Sequence, residues 1–247
     1  MMPNAQNRRQ KLSDPRQNHL LNALPKEQFE RLLPELECVS VSTGEVLQES
    51  GIQMRHVYFP TDVIVCLLYE MEDGASAEVA VVGNEGIVGV PLITGGGTMS
   101  SRAVAQSEGH AYRLKGQMFK EEFDRAGPMQ SLLLRYTQAL FTQTAQTAVC
   151  NRHHTLDQQL CRWLLQSMDR LYSNELHMTQ EQISNMLGVR REGVTEAAGN
   201  LQRAGLIEYH RGRINVLDRL GLESRACECY KVVRKESERL LPESVVH

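Results

Sequence analysis

Gly188 interrupts an otherwise helical stretch at a single residue, and the apolar positions on either side dictate how the two halves pack. From Thr179 the chain reads TQEQISNMLGVRREGVTEAAGNLQRAGLIEYHRGRINVL. Threonine caps a helix through its side-chain oxygen, and Glu181 and Gln182 follow Thr179 in the first turn. Ile183, Met186 and Leu187 recur at the spacing of one buried helical face. Gly188 permits a tight turn, Val189 fills the angle between helices, and Val194, Ala197 and Leu201 give the second helix its own apolar face. Two short helices joined in this way make a helix-turn-helix unit.

The outer face at the start of the second helix carries Arg190, Arg191, Glu192, Thr195 and Glu196, with Asn200 one turn on. Such side chains read base edges, since arginine offers paired donors to guanine and glutamate accepts from the cytosine amino group. Residues 206–216 then alternate as a hairpin with Gly212 at its turn, which predicts a wing holding Arg211 and Arg213 against phosphates. Helix, glycine turn, arginine-rich helix and basic wing, in that order, predict duplex DNA as the partner. The plainer alternative is a helical hairpin with a solvated charged face. A net charge of −3 means that the prediction rests on local charge and not on the field of the whole chain. Between residues 179 and 221, six arginines meet five acidic residues, a balance that favours a second reading: a protein-binding scaffold with weak or lost DNA recognition.

The rest of the chain predicts an α+β fold in two domains, consistent with 247 residues of which 41% are hydrophobic. Residues 1–18 are polar, contain Pro3 and Pro15, and read as a flexible arm. Residues 19–127 form a first domain, opening with short helices around Leu20, Leu24, Phe29 and Leu32. Short β-rich runs follow at 63–69, 77–82 and 102–105, with a hairpin signal at Asp73-Gly74, which predicts an antiparallel barrel or sandwich. Residues 128–152 read as one long helix entered at Pro128. On a heptad count, Leu133, Tyr136, Leu140, Gln143, Thr147 and Cys150 share a face, which pairs either with a second chain or with the helix's own barrel. Residues 153–247 begin with a helix over about 155–172 whose Leu156, Leu160, Trp163, Leu164 and Met168 lie at core spacing. No apolar run is long enough to span a bilayer and the start lacks a signal sequence, so a cytoplasmic protein with reduced thiols is expected.

These motifs resemble the Crp/Fnr family of bacterial transcription regulators. The resemblance covers nearly the whole chain, through Gly44-Glu45, Asp73-Gly74, the segment GNEGIVGVPL over 83–92, the helix after Pro128 and TQEQISNMLGVRREGV. It implies an N-terminal antiparallel β-roll of the cyclic nucleotide-binding type that senses an effector, a long dimerisation helix, and a C-terminal winged helix-turn-helix. It further implies a homodimer that binds DNA, is controlled by a small-molecule effector and contacts RNA polymerase. By position, Arg191 and Glu192 match the family's base-reading pair, whereas Glu196 stands where many members carry an arginine that donates to guanine. In cyclic-nucleotide-binding members a Gly-Glu pair holds the ribose and an Arg-Ser pair the phosphate; here the pairs read Gly89-Val90 and Ser100-Ser101. Both charged anchors are missing, so an effector other than simple cyclic AMP is expected. Arg102 is a substitute cation if the register slips by two, and Thr144 falls near where the family touches the base.

No nucleophile elbow, zincin motif or catalytic carboxylate pair is evident, and Gly95-Gly96-Gly97 lacks the residues of a phosphate loop, so an enzyme is not expected. The family's iron–sulfur members use an N-terminal cysteine cluster, which is absent before Cys38. Cys150, His153 and His154 have a spacing that can hold zinc or haem, but no fourth ligand is evident, and Cys227-x-Cys229 is a weaker signal. The expectation is no metal and no cofactor.

Overall fold

The computed structural model describes residues 14–171 and 174–241. The arm expected over 1–18 lies outside the described residues up to 13, and its last part is folded. Pro15–Gln17 forms one 3-10 turn capped by Asp14. Asn18 is fully buried, and its Nδ2 donates to the carbonyls of Pro60 at 3.0 Å and Gly86 at 2.8 Å. Its Oδ1 accepts from the backbone N–H groups of Leu20 and Leu21, so one amide ties this segment to two places distant in sequence and caps the next helix.

Helices α1 (His19–Asn22) and α2 (Lys26–Leu32) precede the strands β1 (Glu37–Val41), β2 (Val46–Gln48), β3 (His56–Pro60), β4 (Val65–Glu70) and β5 (Ser76–Val82). After α3 (Pro91–Thr94) come β6 (Arg102–Ala105), β7 (Gly109–Lys115) and α4 (Gly116–Asp124). These strands form two antiparallel sheets, ordered β1-β7-β3 and β2-β6-β4-β5, which is the expected β-roll. Small and β-branched side chains, including Val41, Val63, Val65, Val82, Ala103 and Ala111, fill the space between the sheets. The hairpin at Asp73-Gly74 joins β4 to β5, closed by Met71, whose N–H donates to the Ala75 carbonyl at 2.8 Å and whose carbonyl accepts from Gly74 N–H at 3.0 Å.

Helix α5 (Pro128–His153) then runs along the roll. Its expected heptad face is an inner face: Leu133, Tyr136, Gln143, Thr147 and Cys150 are buried within this chain. The reason lies in polar pairing as well as packing. Tyr136 donates from its hydroxyl to the Ile87 carbonyl at 3.0 Å. Gln143 Oε1 accepts from Val81 N–H and its Nε2 donates to Val81 C=O, both at 3.0 Å, so one side chain completes the ladder of the edge strand β5. The face left to solvent is a different stripe, Leu134, Gln138, Phe141, Ala145 and Ala148, again at heptad spacing.

The C-terminal part comprises α6 (Leu156–Met168), β8 (Glu175–His177), α7 (Gln180–Leu187), α8 (Arg191–Arg203), β9 (Ile207–His210), β10 (Arg213–Val216), α9 (Arg219–Arg225) and α10 (Glu228–Leu240). A third sheet is ordered β8-β10-β9. Ile64, Cys66, Leu68 and Val81 of the roll share one core with Leu160, Trp163, Leu164, Ile183, Val194 and Leu201 of this part. Among the described residues, no helix is long and apolar enough to cross a membrane.

A carboxylate sits inside that shared core. Glu78 accepts from the Cys66 thiol at 2.8 Å and from Trp163 Nε1 at 3.4 Å. Burial pushes the Glu78 carboxyl above its ordinary value of 4.5, against the opposing pull of the Cys66 and Trp163 donors and of Arg162 and Arg170. The folded chain therefore holds this proton more tightly than the unfolded chain, and stability falls as pH rises from about 4.5 through the raised value. Glu78→Gln is expected to remove that fall, so urea midpoints of variant and parent diverge in the variant's favour as pH rises. Parallel midpoints across that window would contradict the assignment.

Candidate nucleic-acid interface

Thr179 and Gln182 cap α7 reciprocally: Thr179 Oγ1 accepts from Gln182 N–H at 3.2 Å, and Gln182 Oε1 accepts from Thr179 N–H at 2.8 Å. Gly188 ends α7 in the left-handed region, φ +65°, and its N–H closes on Ser184. A Cβ there would stand 3.1 Å from the Ala77 side chain of β5, and Ser76 donates to the Asn185 carbonyl at 3.3 Å. The turn between the two helices thus rests on the β4–β5 hairpin of the roll. Arg190 is the extended N-cap of α8, whose Val194, Ala197, Ala198 and Leu201 are buried.

Arg190, Arg191, Glu192, Thr195 and Glu196 are exposed on α8, as the periodicity implies. The Thr195 hydroxyl donates to Gln180 Oε1 at 2.8 Å and so spans α8 and α7. Asn200 is placed differently. Its Nδ2 donates to Asp157 Oδ2 at 3.1 Å and fastens α8 to α6, while its Oδ1 accepts from Arg203 within α8, so both ends of the amide are engaged.

The wing is β9 and β10, joined by Arg211 (φ +48°) and Gly212 (φ +80°). Two left-handed residues in sequence give the turn whose twist suits a two-residue hairpin. Arg213 pairs with Glu175 of β8 at 3.0 Å, and Arg211 is exposed. Between the wing and the start of α8 lies a cleft of about 340 Å³ lined by Thr179, Gln180, Arg191, Tyr209, Arg211 and Gly212. It therefore brings one arginine from the helix and one from the wing to the same opening. Tyr209 was not singled out by the sequence, although it shares the inner face of β9 with the buried Ile207; its hydroxyl donates to the Met178 carbonyl at 2.8 Å. Burial pushes that hydroxyl up, with the Arg191 charge acting in the opposite direction.

The roll holds a second cavity, about 260 Å³, closed on one side by Leu140 of α5. Gly89, Val90, Ser100 and Ser101 line it, with Leu67, Tyr69 and Met99. Ser100 Oγ and Tyr69 Oη are hydrogen-bonded at 2.7 Å. Arg102 and Thr144 do not line it. Arg102 points to the outer face, where its guanidinium pairs with Glu49 at 2.9 Å and with Glu70, and Thr144 donates to the Leu140 carbonyl at 3.0 Å. The cavity wall as described holds no lysine or arginine.

Two family models match this chain in tandem. The cyclic nucleotide-binding domain matches residues 38–126 and the Crp-like helix-turn-helix domain residues 158–225, together well over half of the sequence. Solved structures share the fold. A Crp/Fnr-family regulator from Eubacterium rectale is 18% identical with a TM-score of 0.67, over 85% of this chain and 98% of that one. A CRP-family regulator from Thermus thermophilus is 20% identical with a TM-score of 0.63, over 76% and 96% of the two chains. FixK2 from Bradyrhizobium japonicum is 16% identical, also with a TM-score of 0.63, over 78% and 98%. No curated protein sequence matches the chain. With a β-roll of the first type leading through a long helix into a DNA-binding unit of the second, this chain belongs to the Crp/Fnr family of transcription regulators.

Proposed function

We propose that two copies of the chain pair through the outer stripe of α5 and read duplex DNA, each placing Arg191 and Glu192 in one of two successive major grooves. The observation that carries this reading is the cleft shared by Arg191 at the start of α8 and Arg211 on the wing. A helix N-terminus that enters a groove, with a basic hairpin alongside, suits base edges and the flanking backbone together. Arg190, Arg211 and Arg213 serve phosphates, Arg213 by exchanging Glu175 for one. Thr195 and Glu196 complete the reading face, and Glu196 sets an operator different from that of members with arginine there. Asn200 is left out of the reading set because its amide is occupied within the fold. Residues 19–127 then sense, 128–152 dimerise and 153–247 bind DNA, with RNA polymerase as a further partner of the bound dimer.

The effector in this reading is small and uncharged. A buried phosphate needs a fixed cation, and the arginine nearest in sequence to the cavity residues Ser100 and Ser101 is committed to two carboxylates outside. The contact of the Gly188 turn with the β4–β5 hairpin gives an effector a path to the reading helix.

Arg191→Ala is expected to weaken specific binding by about 1–3 kcal/mol and to relax preference at one base position, read by titrating variant operators. Unchanged affinity and selectivity would sink the assignment. Glu192 and Glu196 favour the scaffold as a second reading, and salt separates the two. Phosphate contacts make log affinity fall with log salt at a slope of about −0.9 per neutralised charge, so a flat titration points to the scaffold.

A further inference from the structure

The long helix and the last helix meet at a cluster that neither sensing nor DNA reading uses. Cys150, His154, Cys227 and Cys229 each offer one ligand atom, and these atoms all lie within 4.8 Å of one another. Cys150 Sγ and Cys227 Sγ are 3.5 Å apart, and Cys229 Sγ and His154 Nδ1 are 3.4 Å apart. We propose that these four residues form a tetrahedral site for one thiophilic divalent cation of the zinc class.

The distances fit that geometry. With metal–sulfur bonds of about 2.3 Å, the edge of a tetrahedral site is about 3.8 Å, so small side-chain rotations bring all four atoms onto one ion. Sulfurs around a cluster of several irons must stand further apart than sulfurs around a single ion, and a disulfide would need about 2.05 Å. The three cysteines are buried, and all are free thiols.

The elements hold the ligands from two sides. Cys150 and His154 are one turn apart at the end of α5. Cys227 is the extended N-cap of α10, φ −69° and ψ 165°, whereas Cys229 lies in its first turn. The change of backbone conformation between them lets a pair separated by one residue converge, which regular helix would not allow. His153 is exposed and takes no part.

Groups around the ligands match what a metal site requires. His154 presents Nδ1 to the cluster while its Nε2 faces Glu228 Oε2 at 3.4 Å, the carboxylate–histidine pairing that fixes a ligand's tautomer. Gln146 Nε2 lies 3.1 Å from Cys229 Sγ and donates to it. Three thiolates and a neutral histidine leave one negative charge on a divalent site. The buried guanidinium of Arg162, which donates to Thr147 one turn before Cys150, offsets it.

His154 ends α5 immediately before α6, so the ion would clip α10 to the junction between the long helix and the reading domain. That this clip tunes DNA binding rests on the reading under Proposed function; the site itself does not.

The test is a cobalt(II) titration of the full chain after reduction and chelation, followed by zinc competition. The expected result is one equivalent per chain, with the thiolate charge-transfer and d–d absorption of tetrahedral cobalt, bleached by zinc. Cys150→Ser and Cys229→Ser abolish the signal, Cys38→Ser keeps it, and Glu228→Gln weakens affinity by about 10–100-fold. His154→Gln serves as the gentler ligand variant should a serine variant misfold. Failure of the full chain to take up cobalt would overturn the proposal, as would a signal that survives Cys150→Ser and Cys229→Ser, or iron isolated with acid-labile sulfide. DNA affinity measured with and without zinc is a separate arm: no change there removes the regulatory clause and leaves the site standing.

Discussion

Trp163→Ala is expected to destabilise the chain by about 3–5 kcal/mol, the range for emptying a large aromatic from a packed core. Trp163 is 2% exposed and lies where two parts of the molecule share one interior. Ile64, Cys66 and Val81 of the roll belong to the same buried cluster as Trp163, as do Leu160, Ile183 and Leu201 of the C-terminal part. The substitution also removes the Nε1 donor of Glu78, leaving a buried carboxyl with one donor fewer. Loss at this place uncouples the roll from the reading domain, so urea unfolding should become broader as well as earlier. A loss below about 1 kcal/mol with an unchanged slope would mean that the two parts do not share a core.

Leu134→Glu with Phe141→Glu is expected to leave folding intact and to abolish pairing. Leu134 is 55% exposed and Phe141 69% exposed, so within one chain neither change opens a cavity. Both lie on the outer heptad stripe of α5 with Ala145 and Ala148, and Val149 beside them is also exposed. In the proposed dimer this apolar stripe is the seam of a two-stranded coil, and four facing glutamates would repel across it. Sedimentation should show the parent as a dimer and the variant as a monomer with an unchanged melting temperature. Affinity for a two-half-site operator should fall by about 10²–10⁴-fold, because the second half-site no longer binds as part of one molecule. A variant that still sediments as a dimer would place the seam elsewhere.

The helix-turn-helix was legible because Thr179, Gly188 and the apolar positions around them act locally, and nothing tertiary competes with them. The face of α5 was not. Leu133, Tyr136, Gln143 and Thr147 have a coil-like spacing, and it takes the strand edge that Gln143 completes and the Ile87 carbonyl that Tyr136 meets to show that this stripe turns inward. Asn200 and Arg102 look free in sequence, but Asp157 in the first case and Glu49 and Glu70 in the second are brought to them by the fold. The cysteine–histidine cluster was hidden for the same reason. Cys150 and Cys227 are 77 residues apart, and the one-residue gap between Cys227 and Cys229 becomes favourable only at the start of a helix.

Dimeric DNA reading is tested most directly by selecting random duplex DNA with the full chain, alone and with a low-molecular-weight cell extract, and sequencing what is retained. The account predicts a two-fold-symmetric site whose half-site centres lie about one helical turn, 10 base pairs, apart. Its enrichment should be lost in Arg191→Ala. Retained DNA without symmetry, or no enrichment in either condition, would contradict it.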